Sequence, residues 1–142
     1  YLQNVPQDQS NPLNSLIATM KLGMNQMQQK NNAAAEKTFR SAIKQYRAQF
    51  YDVPELAQCI LSLGDILANS GRVPEAIKML QDYMKMPIKN QNILSMTTYK
   101  LGWYNRAAGN EAKAQEAFKT VLKKWPASVA SQHIKKESPN LK

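Results

Sequence analysis

Apolar residues recur at helical intervals along this chain. Ile17, Met20, Met24 and Met27 form one stripe, and Met96, Tyr99 and Trp103 form another. Spacings of three and four place such residues on one side of a helix. Charged residues keep the same period, and Lys37, Arg40, Lys44 and Arg47 mark a solvated face. Between the stripes lie helix punctuation signals. Asn11-Pro12 reads as an N-cap followed by proline at the first helical position. Asp52-Val53-Pro54-Glu55 and Val73-Pro74-Glu75 open two further helices, while Pro87 and Pro126 stop two others. Gly71 and Gly109 fall in turns. Lys30-Asn31-Asn32 takes the equivalent place in the first third, where asparagine tolerates the left-handed conformation that ends a helix. The pattern predicts helices over about 12–30, 33–51, 54–70, 74–86, 90–108 and 111–125, with a short last helix over about 127–137. Residues 1–11 read as a linker, 12–137 as the ordered domain and 138–142 as a tail.

A longer period overlies the helical one. Leu22-Gly23, Leu63-Gly64 and Leu101-Gly102 are spaced by 41 and 38 residues. Twelve residues after each of these glycines comes Ala35, Ala76 or Ala114, and four further on comes Phe39, Leu80 or Phe118. Ala42, Tyr83 and Val121 follow in step. Each copy is a helical hairpin, giving units of about 12–51, 52–88 and 89–126 with a capping helix at 127–137. A glycine inside a helix costs roughly 1 kcal/mol against alanine. Three at one offset imply a close packing contact, read here as the backbone of a neighbouring helix. The large residue sixteen positions on is expected to fill the gap between hairpins.

These residues resemble the tetratricopeptide repeat. The third unit carries the fullest set, Leu101-Gly102, Tyr104, Ala114, Phe118 and Pro126; the second has Leu63-Gly64, Ala76 and Leu80, and the first Leu22-Gly23, Ala35 and Phe39. The spacings exceed the family's usual period, and its early-helix tryptophan is missing in all three copies. The resemblance implies an all-α solenoid of three hairpins, with the first helix of each lining a concave groove. Projected from the Leu-Gly marks, that groove would present Met20, Lys21, Met24 and Met27 from the first unit, Leu61 and Asp65 from the second, and Tyr99, Lys100, Trp103 and Arg106 from the third. Tyr99 and Trp103 are the expected anchors, and Arg106 or Lys100 would take a carboxylate. The alternative is that the methionines are core. Chaperone-binding members of the family clamp a C-terminal carboxylate with lysine and asparagine; the matching places hold Met20, Met24, Ser62, Met96 and Lys100, of which only Lys100 suits that task. The stretch Ala117–Ala130 also looks like repeats of bacterial envelope proteins such as the Tol–Pal coordinator and the outer-membrane assembly lipoprotein of the β-barrel machinery. That likeness favours an envelope location over a cytoplasmic one at even odds.

Composition narrows the picture further. The chain has 142 residues, 43% of them apolar, enough for one domain with a real core. One cysteine excludes an internal disulfide framework, and no apolar run is long enough to span a membrane. Nineteen basic residues against ten acidic ones give a net charge of +9, which favours acidic partners. Basic residues alternate with Glu36, Glu111 and Glu116 without interleaved aromatics, which makes nucleic acid an unlikely partner. Cys59 sits among Ile60, Leu61 and Leu63 and reads as a buried inert thiol; His133, the sole histidine, reads as a surface residue. No phosphate loop, metal-ligand spacing or catalytic constellation is present, so no cofactor or metal is expected. The reading is a non-enzymatic adaptor that binds a peptide or helical segment of a partner protein, with self-association possible through apolar solenoid ends. Its alternatives are a basic electrostatic binder of nucleic acid or anionic lipid, and a fragment of a longer solenoid.

Overall fold

Side-chain caps set where the helices begin. Asn11 Oδ1 accepts from the Asn14 amide, Asn31 Oδ1 from the Ala34 amide, Asn90 Oδ1 from the Ile93 amide and Ser128 Oγ from the Ser131 amide, at 3.0–3.4 Å. Each satisfies a helix-start donor that has no partner inside its own helix. In a computed structural model, which describes residues 11–138, the helices are α1 (Pro12–Gln28), α2 (Asn32–Phe50), α3 (Pro54–Asn69), α4 (Val73–Met84), α5 (Gln91–Ala107), α6 (Glu111–Lys124) and α7 (Val129–Glu137). Every boundary lies within two residues of the sequence expectation. The linker and tail lie outside the described residues except for Asn11 and Ser138. Among the described residues there is no strand, and no helix is long and apolar enough to cross a membrane.

The turns correct one detail. Gly71 and Gly109 take the left-handed conformation, with φ of 81° and 85°, but in the first turn Lys30 takes it, at φ 62°. Asn31 is committed to capping α2 and holds φ −95°. The asparagine is therefore used for its side chain, and the strained backbone falls on its neighbour.

The chain divides into two compact units, Tyr1–Ile66 and Leu67–Lys142, with the division inside α3. In the first, α1 and α2 form a hairpin, joined by a hydrogen bond of 2.7 Å from Thr38 Oγ1 to Gln26 Oε1. Gly23 is buried beneath Phe39; a Cβ on Gly23 would stand 2.5 Å from the Phe39 ring. The second unit repeats this joint, with Gly102 beneath Phe118 at the same 2.5 Å. What these glycines admit is thus an aromatic ring of their own hairpin, rather than a neighbouring helix backbone. Correspondingly, Phe39 and Phe118 seat within hairpins, where the sequence reading placed them between hairpins.

In the second unit α5 is the central helix, packing against α4, α6 and α7. Its core is Tyr99, Ala114, Phe118, Val121, Ala130 and Ile134, flanked by Met96, Trp103, Leu122 and Trp125. Being covered from several sides explains why α5 buries residues at positions that a one-faced helix would expose, including Ser95 and Thr97.

Candidate partner-binding site

On α5 the residues of the expected groove meet around one ring. Tyr99 is only 7% exposed and donates its hydroxyl to Glu137 Oε1 on α7 at 2.9 Å. Trp103 approaches it edge-on at 6.4 Å, Phe118 lies 6.0 Å away, and His133 stacks on it at 5.8 Å with an interplanar angle of 19°. Trp103 also meets Phe118 edge-on at 5.8 Å. These separations are those of favourable aromatic pairs. Tyr99 is therefore a core residue and not the exposed anchor expected from its stripe. Packing by α7 accounts for the difference, because it lays His133 and Glu137 over the ring. Burial first, and then the bond to Glu137, push the Tyr99 hydroxyl up to about 12.

Arg106 is also corrected. Its guanidinium sends Nε and a terminal nitrogen to the two carboxylate oxygens of Glu111, at 2.9 and 2.8 Å, across the turn from α5 to α6. The same group lies 5.2 Å from the Trp103 centroid and 5.1 Å from that of Phe118. The forked bond holds Glu111 below the usual carboxylate range and raises Arg106 further. The guanidinium, expected to be open to a partner's carboxylate, is thus engaged by Glu111 and by the Trp103 and Phe118 rings. Trp103 remains half-buried and His133 exposed, so together they form the accessible part of this aromatic group; Lys100 is half-buried on the same helix.

In the first unit the α1 stripe stays at the surface. Met20 and Met27 are half-buried, Met24 is 38% exposed and Lys21 is exposed. These methionines flank the buried line of Leu16 and Gly23 that faces α2. The alternatives of core and groove are thereby divided: the stripe borders the core and keeps an open side. Leu61 on α3 is 7% exposed and belongs to the interior, which removes it as a contact residue, while Asp65 is half-buried. The sequence spacing could not separate these cases, because it fixes the side of a helix but not how many neighbours cover that side.

Two members of the aromatic group escaped the sequence reading. His133 is exposed as expected, but its stack on Tyr99 and the bond that the Tyr99 hydroxyl donates to Glu137 have no counterpart in the sequence expectation. Their separation of four positions on α7 was the available signal, since it puts both on one side of that helix. Cys59, fully buried, has its thiol pushed up to about 12 by burial, as an inert core thiol should. Among the described residues no group of three or more His, Cys, Asp and Glu is placed to hold a metal ion. The first unit thus exposes polarizable methionines on α1, and the second leaves Trp103 partly accessible on α5.

Tetratricopeptide-repeat family models match residues 20–86 and 98–128. The chain belongs to the tetratricopeptide repeat family. The matched ranges contain every Leu-Gly mark, both Gly–Phe joints and Tyr99, Trp103 and Phe118 of the aromatic group. No curated protein matches this tetratricopeptide repeat chain. Tetratricopeptide repeats generally mediate protein–protein interaction and typically have no catalytic role, which supports a scaffold function at that level.

Proposed function

We propose that this tetratricopeptide repeat protein is a non-enzymatic adaptor whose repeats receive a peptide or helical segment of a partner protein. The repeats are read as about 12–51, 52–88 and 89–126, with a cap at 127–137. The observation that carries the reading is the accessible apolar side of α1 in the first unit, where Met20, Met24 and Met27 border Lys21. In the first unit Met20, Met24 and Met27 are the contact residues, with Lys21 beside them; in the second, Trp103 is a contact residue in its own right, packed on Tyr99 and Arg106 and sharing α5 with Lys100. Methionines adapt to an amphipathic segment, and a tryptophan held by a fixed arginine supplies a preorganised anchor.

The test is capture from native extract, identification of the protein held, and titration of that protein, purified, against wild type and the Met24→Glu and Trp103→Glu variants. Circular dichroism checks that both variants are helical. Each is expected to weaken affinity at least about tenfold. Wild-type affinity should change by less than about threefold between about 50 and 200 mM salt, because apolar contacts are not screened. Unchanged affinity in both folded variants would refute this site. The likeness of Ala117–Ala130 to bacterial envelope repeats supports placing the adaptor in an envelope or secretion assembly, which fractionation of the native cell would test.

A further inference from the structure

The corner between α6 and α7 carries a charge surplus that the partner-binding reading leaves unused. From Ala117 to Lys136 the sequence has no carboxylate and five lysines, Lys119, Lys123, Lys124, Lys135 and Lys136. All five are exposed, and among the described residues no ion pair is found at any of them; ion pairs elsewhere include Arg40–Glu36, Lys78–Asp82, Lys85–Asp82 and Arg106–Glu111. Lysines near a helix C-terminus commonly answer its exposed carbonyls. Here two of the carbonyls at the end of α6 have other partners. Val121 O accepts from the Trp125 amide and from Ser131 Oγ, and Trp125 O accepts from the hydroxyls of Ser128 and Ser131. The ammonium groups of Lys119 and Lys123 are left to solvent.

Five residues after Lys124 in the sequence, at the start of α7, comes an exposed apolar tip. Val129, at 58%, is the most exposed of the large hydrophobic residues among those described, and Pro126 and Ala127 before it are exposed as well. The tip is rigidly held. Trp125 packs on the core and donates its indole N–H to Gln91 Oε1 at 2.6 Å, and the Ser131 hydroxyl, shared between Trp125 O and Val121 O, ties the turn to α6. Lys124 lies 5.9 Å over the Trp125 ring. The outer face of α6 is an open depression of about 420 Å³ walled by that one helix, where Lys119 and Lys123 outnumber the single carboxylate of Glu116, a face rather than a pocket for a small ligand.

We propose that this corner docks on an anionic lipid surface, with Val129 entering the headgroup boundary and Lys119, Lys123 and Lys124 meeting lipid phosphates. An apolar tip beside basic residues matches a bilayer surface, which is apolar beneath and negative above. Nucleic acid fits less well. It rewards lysines but gives an exposed valine nothing to bury, and it prefers open aromatic faces, whereas Trp125 is already packed on the core and under Lys124.

The experiment is co-flotation of the full chain with vesicles of phosphatidylcholine alone and of phosphatidylcholine mixed with phosphatidylglycerol. Partition should be confined to the mixed vesicles and fall steeply between about 50 and 200 mM salt. Lys123→Glu/Lys124→Glu should lower it at least about tenfold, and Val129→Ser about threefold. The control Lys37→Glu/Lys44→Glu changes net charge equally on α2 and should remain within about twofold of wild type. Circular dichroism verifies folding of each. Equal loss in the control would overturn the proposal in favour of net charge alone. Absence of partition, or indifference to Val129→Ser, would overturn it too. Binding of a DNA duplex that is lost in Lys123→Glu/Lys124→Glu, without vesicle partition, would assign the corner to nucleic acid instead.

Discussion

At Gly102 a single added methyl group would meet the Phe118 ring 2.5 Å away, closer than real contacts allow. Alanine is the better helix former by roughly 1 kcal/mol, but the clash falls on a ring already held by Tyr99, Trp103 and Arg106. The steric cost wins. Gly102→Ala is expected to destabilise by about 1–3 kcal/mol in urea unfolding. Adding Phe118→Leu should leave a smaller total loss than the two single losses summed, since each change makes room for the other. Thr97 calls for the opposite substitution. It is fully buried, and its hydroxyl has no hydrogen-bond partner. Thr97→Val keeps the shape and removes that desolvated hydroxyl, so the unfolding midpoint should rise, by about 1 kcal/mol of stability. A drop would mean that the hydroxyl has a partner in solution.

Among the elements, α7 has the largest effect on the site, because it converts Tyr99 from a surface ring into a core one. Burial and Glu137 raise the Tyr99 hydroxyl from 10.0 to about 12. A raised folded value means stability that is complete below pH 10 and is lost as pH climbs through about 12. Wild type should therefore lose stability over that interval more steeply than Tyr99→Phe, measured by urea midpoints at successive pH values. Parallel curves would show that Tyr99 is not the titrating group. The helices themselves were legible because Asn11-Pro12, Pro54, Pro74, Pro87 and Pro126 punctuate them. The role of α7 was not. Its nine residues offer only Ala130, Ser131 and Ile134 as a buried side, too short a pattern to say which helix receives it. The Met96–Tyr99–Trp103 stripe was read correctly as one side of α5, but a helix packed by three others divides one stripe between core and surface. Arg106 was misjudged for a related reason: Glu111 lies five residues on, beyond a turn whose path helical spacing does not describe.

For the whole molecule, the distribution of natural probes is informative. Both tryptophans, Trp103 and Trp125, lie in the second compact unit, and the lone thiol of Cys59 lies in the first. The division runs through the continuous helix α3, so neither unit can unfold completely without fraying a helix it shares. Tryptophan fluorescence and Cys59 labelling are therefore expected to follow one urea transition. Labelling should precede the fluorescence change if the units open separately. In native conditions the buried thiol, held at about 12, should react at least about a hundredfold more slowly than in the unfolded chain. The Gly–Phe joints also restrict how such a sequence can drift. A lineage that acquires alanine at Gly23 or Gly102 first passes through an overpacked intermediate, whereas one that first trades the phenylalanine for a smaller residue passes through a loosened but foldable one. The order of acceptance is thereby biased: the ring must shrink before the glycine can change, and a surviving phenylalanine preserves the glycine beneath it.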